Sequence, residues 1–260
     1  MKYRVAAVNY TNTLPFLYGF SLPAIRDLVD VYVVPPSDCA DMMIRGDVDI
    51  ALCPVGAFPA LENPRLLTDY CIGCDGAVRT VSIFSNAPLH KLGYVVLSPE
   101  SRTSNLLVQI MELVFWKFGL KFGSNIPDIN PEQIGYLQIG DKCFEMEKQF
   151  QYQTDLGAEW KRATGLPFVF ACWTSLGNPE MGFVSALNDA FREGISQIDH
   201  LVHGDESAKA MLRWYLRKHI SFQFDDGKKA ALEYFLELLS QYQKHGQICE
   251  ESFPTGMKIA

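Results

Sequence analysis

The feature that most constrains the fold is the alternation of short apolar strands and helical segments over the first hundred residues. The β-rich runs lie at 3–8, 31–34, 48–53, 77–85 and 93–97. Between two of them, Ser37 can cap a helix over 38–45 and Gly46 can end it. Strands separated by helices pair in parallel, so this pattern predicts an α/β fold built on a parallel sheet.

The rest of the chain predicts a second lobe and a helical tail. The expected elements are a helix at 101–118, a strand at 135–139, a helix at 156–164, a strand at 168–173 and amphipathic helices at 181–198, 207–219 and 228–245. Because the tail helices have no sheet of their own, we expect them to pack on the first lobe. The sequence therefore predicts lobe I at 1–85 plus 175–260 and lobe II at 86–174. Two chain crossings then join the lobes, and a ligand cleft lies between them.

Composition and charge narrow the classes of partner and compartment. The chain has 260 residues, a net charge of −7 and no basic run, which argues against nucleic acid or an anionic membrane as partner. No apolar run is long enough for a signal-peptide core or a membrane span. Seven scattered cysteines are typical of buried thiols in a reducing compartment. We expect a cytoplasmic protein, monomer or homodimer, with a small-molecule ligand.

The usual signatures of cofactor and metal chemistry are absent from the sequence. No glycine-rich phosphate loop, dinucleotide fingerprint or G-x-S-x-G turn follows a predicted strand. The single C-x-x-C at 71–74 has no second pair or histidine at zinc spacing. The sequence therefore predicts neither a cofactor nor a metal.

Polar residues concentrate where predicted strands end and predicted helices begin. The first cluster follows the first strand and comprises Asn9, Tyr10, Thr11, Asn12 and Thr13. A helix cap needs only one of them, and ligands of open α/β sheets bind at the carboxyl ends of strands. This cluster is therefore a candidate binding segment.

A second cluster opens the long predicted helix, where Arg102, Thr103 and Ser104 follow Ser101. Free backbone N–H groups at a helix start, together with hydroxyls and a guanidinium, favour a carboxylate or phosphate.

Three further polar side chains are candidates for the cleft. Thr80 and Ser82 share one face of an apolar strand, and Asp141 follows the strand at 135–139. Asp141 is either a cleft residue or the cap of the next helix, and the pattern does not distinguish the two. A cleft of these residues suits a small di-acid, for binding alone or for a reaction that needs little acid–base help.

Six motifs, in this order, resemble the chorismate dehydratase family, the first enzyme of the futalosine route to menaquinone. They are N-Y-T-N-T-L-P-F at 9–16, R-G-D-V-D-I-A-L-C-P-V at 45–55, V-R-T-V-S-I-F-S at 78–85, S-R-T-S at 101–104, I-G-D at 139–141 and D-L-G-A-E-W…T-G-L-P-F-V-F-A-C-W at 155–173. The resemblance runs over about nine-tenths of the chain.

This resemblance implies a bilobed fold like that of the type-2 periplasmic binding proteins, used as an enzyme. It implies conversion of chorismate to 3-[(1-carboxyvinyl)oxy]benzoate and water without a cofactor. On the family pattern Asn12 lines the cleft and either Thr80 or Ser82 contacts substrate. Thr103 and Ser104 match the site for a substrate carboxylate.

Two other functions compete with this one. The sister enzyme 1,4-dihydroxy-6-naphthoate synthase has a similar fold, but its opening motif differs from the one at 9–16. A non-catalytic solute-binding or sensing protein is the second, since a fold alone does not determine function.

Overall fold

The computed structural model describes residues 2–244, which form two β-sheets with helices packed against them. The strands, in chain order, are β1 (Tyr3–Val8), β2 (Val29–Val34), β3 (Ile50–Pro54), β4 (Arg65–Cys74), β5 (Val81–Ser85), β6 (Tyr94–Val96), β7 (Lys121–Gly123), β8 (Ile134–Ile139), β9 (Tyr152–Asp155), β10 (Phe168–Ser175) and β11 (Ser221–Gln223).

Nine α-helices fall within the described residues. They are α1 (Leu14–Ser21), α2 (Pro36–Arg45), α3 (Arg102–Ile110), α4 (Cys143–Met146), α5 (Leu156–Thr164), α6 (Met181–Ser196), α7 (Ile198–Leu201), α8 (Glu206–Lys218) and α9 (Asp226–Lys244). Local sequence sets several bounds as predicted: Gly46 ends α2 at a φ of 71°, and Gly165 ends α5 at a φ of 75°. The predicted end of the last helix at 245 lies outside the described residues.

The first sheet has the strand order β11-β4-β10-β3-β1-β2. β1 lies between β2 and β3 and is parallel to both, as the alternation of strands and helices predicts. β10 runs antiparallel to its neighbours β3 and β4. The carboxyl ends of β1, β2 and β3 therefore lie at one edge of this sheet, so the segments that follow these strands converge there.

The second sheet has the order β7-β6-β8-β5-β9. β6 is parallel to β7 and β8, whereas β5 runs antiparallel to β8 and β9. The helix α3 starts shortly after β6, and a short 3-10 helix at Gly140–Lys142 follows β8. Both segments lie at the side of this sheet that faces the first one.

The strands at both predicted lobe boundaries belong to the opposite sheet from the one expected. β5, placed in lobe I by the boundary at 85, pairs within the second sheet, and β10, placed in lobe II, pairs within the first. The chain therefore crosses between Cys74 and Val81 and again between Asp155 and Phe168. Every residue of both strands is buried, so neither strand has an exposed face that distinguishes one sheet from the other.

Other elements differ from prediction in extent. The strand expected at 77–85 begins only at Val81, because Arg79 adopts a left-handed backbone with a φ of 71°. The helix expected over 101–118 is α-helical to Ile110 and continues as a π-helix at Met111–Trp116. The strands β4, β7, β9 and β11 were not predicted.

The helical tail packs on the first sheet, as expected. Gly19 of α1 and Gly194 of α6 allow these two helices to approach closely, since an added Cβ on either would meet the backbone of the other helix. Phe235 of α9 packs edge-on against Phe168 of β10 at a centroid distance of 5.2 Å. Within the described part of the chain, no helix is long and apolar enough to cross a membrane.

Candidate active site

A cleft lies between the two sheets and has walls from both; together with its solvent-open mouth it encloses about 530 Å³ of empty space. We call the parts of the chain built on the first and second sheets the first and second lobes. The lining residues from the first lobe are Val8, Tyr10, Asn12, Pro36, Leu52, Pro54, Ile72, Phe170 and Ala171, and those from the second are Val81, Ser101, Thr103, Ser104, Ile139 and Gly140. Val78 and Thr80, from the crossing between β4 and β5, complete the lining. A cavity between lobes with a few convergent polar groups is the usual form of a small-molecule site.

Asn12 enters the cleft from the short 3-10 helix Thr11–Thr13 at the carboxyl end of β1. Its side chain is buried, and Thr13 Oγ1 donates a hydrogen bond of 3.3 Å to Asn12 Oδ1. This contact orients the amide so that Asn12 Nδ2 points at Tyr215 Oη, 3.4 Å away. Thr13 is itself fully buried and does not line the cleft, so its contribution is to orient Asn12.

Thr80 lines the cleft on the crossing segment, with its hydroxyl 2.7 Å from Tyr215 Oη. The Asp155 carboxylate fixes this segment, because it accepts hydrogen bonds from the backbone N–H groups of Val78 (3.1 Å) and Arg79 (2.6 Å). The Asp155 carboxylate thus binds the backbone at Arg79, which has the left-handed conformation. Thr80 therefore lies in an irregular segment and not in a strand.

Ser82 lies elsewhere. It is buried within β5, accepts a hydrogen bond of 3.0 Å from Gln153 Nε2 and does not line the cleft. The strand expected at 77–85 begins only at Val81, so Thr80 lies in the crossing segment and Ser82 lies within β5. Of the two candidate hydroxyls, the structure brings only Thr80 to the cleft.

The first turn of α3 borders the cleft from the second lobe. Ser101 caps the helix by accepting a hydrogen bond of 3.1 Å from the Ser104 backbone N–H. Thr103 Oγ1 donates to the Phe170 carbonyl at 3.2 Å and accepts from the Gly56 N–H at 3.0 Å. The Thr103 hydroxyl therefore joins the lobes. The cleft is also bordered by the Ser104 side chain and by the N-terminus of α3, which is the positive end of the helix dipole.

Arg102 does not line the cleft. Its Nη2 pairs with Asp41 Oδ1 on α2 at 2.6 Å, and its Nη1 is buried without a hydrogen-bond partner among the described residues. The ion pair links α3 of the second lobe to α2 of the first. The structure therefore does not support the predicted direct role of Arg102 in binding an anion. Its positive charge lies at the first residue of α3 but outside the cleft.

Tyr10 lines the cleft and spans the two lobes. Its hydroxyl donates a hydrogen bond of 2.7 Å to Glu100, whose carboxylate also accepts from Lys142 Nζ at 2.7 Å. Burial and the Glu100 hydrogen bond raise the pKa of Tyr10, and the contacts with Lys142 and Tyr10 lower the pKa of Glu100. The Tyr10 ring packs on Gly140, where an added Cβ would lie 2.6 Å from the ring.

The remaining two predicted residues lie outside the cleft. Asp141 Oδ2 accepts hydrogen bonds from the Thr11 N–H at 3.2 Å and the Thr11 hydroxyl at 2.9 Å, so Asp141 joins the lobes and does not cap α4. Asn9 is exposed, and its backbone N–H bonds to the Val34 carbonyl at 3.0 Å. Of the polar segment at 9–13, Tyr10 and Asn12 line the cavity, and Asn9, Thr11 and Thr13 do not.

The lining of the cleft determines which chemistry it can support. Among the described residues that form it, none is Lys, Arg, His, Asp or Glu. Its polar groups are the amide of Asn12, the start of α3 and five hydroxyls, those of Tyr10, Thr80, Ser101, Thr103 and Ser104. Such a site can hold an anion through neutral donors and the helix dipole, and it can stabilise developing negative charge.

Tyr215 is the main site residue that sequence reasoning missed. It is fully buried on α8, and its hydroxyl contacts both Asn12 and Thr80. Burial raises the pKa of Tyr215, so the phenol stays protonated at neutral pH. Its position more than 130 residues after Thr80 gave no local signal, and an amphipathic helix accommodates a tyrosine on its buried face without any functional reason.

The fold and the cleft define a bilobed binding-protein architecture, with a site formed at the junction of two α/β lobes. The Candida albicans CA3427 gene product, described as having the generic periplasmic binding protein fold, matches with a TM-score of 0.63 and 10% identity over 100% of this chain and 98% of that one. A protein from Archaeoglobus fulgidus matches with a TM-score of 0.65 and 14% identity, covering 95% and 98% of the two chains.

The chain belongs to the menaquinone biosynthesis family, whose model matches residues 3–241. It is also similar to the chorismate dehydratase of Thermus thermophilus, at 25% identity over 267 residues, which cover 91% of this chain and 95% of the relative.

Proposed function

We propose that this protein is a chorismate dehydratase, a hydro-lyase that forms 3-[(1-carboxyvinyl)oxy]benzoate and water on the futalosine route to menaquinone. The observation that carries the proposal is the convergence of Asn12, Thr80 and the start of α3 on one interlobe cleft. These positions belong to the motifs that carry the family resemblance, and the similarity to the Thermus thermophilus enzyme supports the same substrate.

The proposed reaction suits a cleft of neutral donors. Loss of a ring proton and of the ring hydroxyl as water makes the ring aromatic, which supplies the thermodynamic drive. The enzyme must mainly orient the substrate and assist departure of the hydroxyl. Asn12 and Thr80 offer hydrogen bonds to the oxygen on which negative charge develops, and the apolar walls formed by Leu52, Ile72 and Phe170 strengthen these interactions by excluding water.

One of the two substrate carboxylates binds at the start of α3. The start of this helix and the Ser104 hydroxyl favour one carboxylate, while the Thr103 hydroxyl, engaged with Phe170 and Gly56, positions the helix. The described lining holds no imidazole, amine or carboxylate. We therefore propose that the enolpyruvyl carboxylate of chorismate itself removes the ring proton.

The same proposal includes the compartment and the partners. We place the protein in the cytoplasm, where the six described cysteines, all unpaired and buried, remain reduced. Chorismate is the proposed small-molecule partner, used without a cofactor, and the protein acts as a monomer or a homodimer.

The test is to incubate purified protein with chorismate alone and to separate the products over time. We expect the carboxyvinyloxy-benzoate to accumulate at a rate proportional to protein concentration. Asn12→Ala should slow this rate strongly, while Asn9→Ala, the exposed neighbour in the same motif, should not.

Two results would contradict the proposal in different ways. Chorismate that binds but is recovered intact would make the protein a non-catalytic binding or sensing protein. Chorismate that does not bind would rule out the substrate, and the substrate of 1,4-dihydroxy-6-naphthoate synthase would be tested next.

A further inference from the structure

The tail helix α8 and the residue that follows it, His219, contact the crossing segment at residues 77–80 through three side chains. Tyr215 Oη lies 2.7 Å from Thr80 Oγ1, and His219 Nδ1 lies 2.7 Å from the Ala77 carbonyl oxygen. The Trp214 ring lies 5.5 Å from the guanidinium carbon of Arg79, within cation–π range. The crossing between the lobes is therefore held from the first lobe by one face of α8 and from the second lobe by Asp155.

The distance between Tyr215 and Thr80 allows either hydroxyl to donate, and the neighbouring contacts favour donation by Tyr215. Asn12 Nδ2 donates to Tyr215 Oη, because Asn12 Oδ1 already accepts from Thr13. The Tyr215 proton then needs an acceptor, since an unsatisfied buried hydroxyl is costly, and Thr80 Oγ1 is the acceptor within reach. When Thr80 Oγ1 accepts this bond, its own proton is free to point into the cleft.

We propose that Tyr215 is a positioning residue that fixes the Thr80 hydroxyl as a hydrogen-bond donor toward the substrate. The chain of bonds runs from the Asn12 amide through the Tyr215 phenol to Thr80, and each bond polarises the next. The inference rests on the proposed function: the substrate oxygen that receives the Thr80 bond is the departing hydroxyl, on which negative charge grows as its carbon–oxygen bond breaks. No proton leaves Tyr215, whose hydroxyl bonds to Asn12 and Thr80 and whose side chain does not line the cleft.

The variant Tyr215→Phe keeps the ring that packs edge-on against Phe144 at 5.3 Å and removes only the hydroxyl. We expect kcat for chorismate to fall about tenfold to 100-fold with little change in KM, because the lost interaction strengthens in the transition state. Tyr234→Phe on α9, whose ring lies 5.8 Å from that of Trp160, is the matched control and should retain the wild-type kcat.

A double-mutant cycle distinguishes positioning from a merely structural role. If Tyr215 acts through Thr80, then Tyr215→Phe should cost less than about twofold further in a Thr80→Val background, whereas Thr80→Ser should keep both the activity and its dependence on Tyr215. The melting temperature of each variant reports whether the fold is intact.

Each outcome of the cycle bears on a different claim. Losses in Tyr215→Phe and Thr80→Val that multiply, or a Tyr215→Phe variant that matches wild type, would overturn the positioning role while wild-type turnover still supports the function. Wild-type protein that does not convert chorismate contradicts the proposed function and the inference that rests on it.

Discussion

Gly140 is a position where one added carbon would disturb the site directly. Its φ is 69°, and a Cβ there would lie 2.6 Å from the Tyr10 ring. Gly46 has a similar φ of 71° but has nothing within 4 Å of an added Cβ, which makes it a matched control. We expect Gly46→Ala to lower the free energy of unfolding by about 1 kcal/mol, and Gly140→Ala by about 2–4 kcal/mol with loss of turnover. Urea unfolding measures both, and equal costs would contradict the Tyr10 contact.

The ionisable groups near the cleft predict the pH dependence of turnover. Burial raises the pKa of Tyr10 and Tyr215, and it raises the pKa of Cys53 on β3 to about 12, so all three stay protonated at neutral pH. Because the pKa of Glu100 is lowered, its carboxylate stays ionised at pH values where an ordinary glutamate would be protonated. We therefore expect kcat to be flat from about pH 6 to 9. A limb of the pH profile of kcat that disappears when one protein residue is replaced would contradict deprotonation by the substrate's own carboxylate.

At the residue scale, the sequence predicted the segments of the site better than the individual side chains. Tyr10, Asn12, Thr80, Thr103 and Ser104 were predicted and line the cleft, although the Thr103 hydroxyl is already bonded to the backbone of the first lobe. Thr13 and Asp141 lie nearby and bond other residues of the protein, because a buried hydroxyl or carboxylate can bind a protein group as well as a ligand. Only the tertiary fold brings Tyr215 to this site, so no spacing in the sequence could have indicated it.

At the scale of elements, the Asp155 carboxylate binds the backbone of two separate segments. It caps α5 by accepting from the Ala158 N–H at 3.0 Å, and it also binds the backbone of the crossing segment. Asp205 caps α8 in the same way through the Ala208 N–H at 2.9 Å, and it makes no contact with the crossing.

This difference gives a prediction for a pair of matched variants. We expect Asp205→Ala to cost about 1 kcal/mol of unfolding free energy and to leave turnover unchanged. Asp155→Ala should cost about 2–3 kcal/mol and lower kcat at least about tenfold, because Thr80 loses its fixed backbone. Chemical denaturation and steady-state kinetics check both, and equal effects on kcat would show that the crossing does not depend on Asp155.

The elements that could be predicted are those with a clear periodicity or a distinct end. α5 has the predicted bounds because an Asp cap and a Gly end are local signals, and β1 because it is a compact β-rich run. β9 and β11 are short and half-polar, so their place in a sheet depends on partners that the sequence does not show. The sheets to which β5 and β10 belong are likewise determined by long-range pairing, which the sequence does not show.

At the scale of the molecule, the two lobes share one continuous apolar core. The buried cluster includes Leu52 of the first sheet and Ile83 and Leu137 of the second, and the bonds of Tyr10, Thr11 and Arg102 join the lobes around it. We therefore expect one cooperative unfolding transition, with far-UV circular dichroism and tryptophan fluorescence coinciding. Two separated transitions would show that the lobes fold independently.

The central claim is that the interlobe cleft at Thr80 carries out the dehydration, and one comparison of rates tests it most directly. Thr80 and Ser82 are neighbouring hydroxyls in the same motif, but only Thr80 lines the cleft. We expect wild-type protein and Ser82→Ala to convert chorismate at similar rates, and Thr80→Val to be slower by about 100-fold. A Thr80→Val variant as fast as wild type, or Ser82→Ala as the slow variant, would contradict the account.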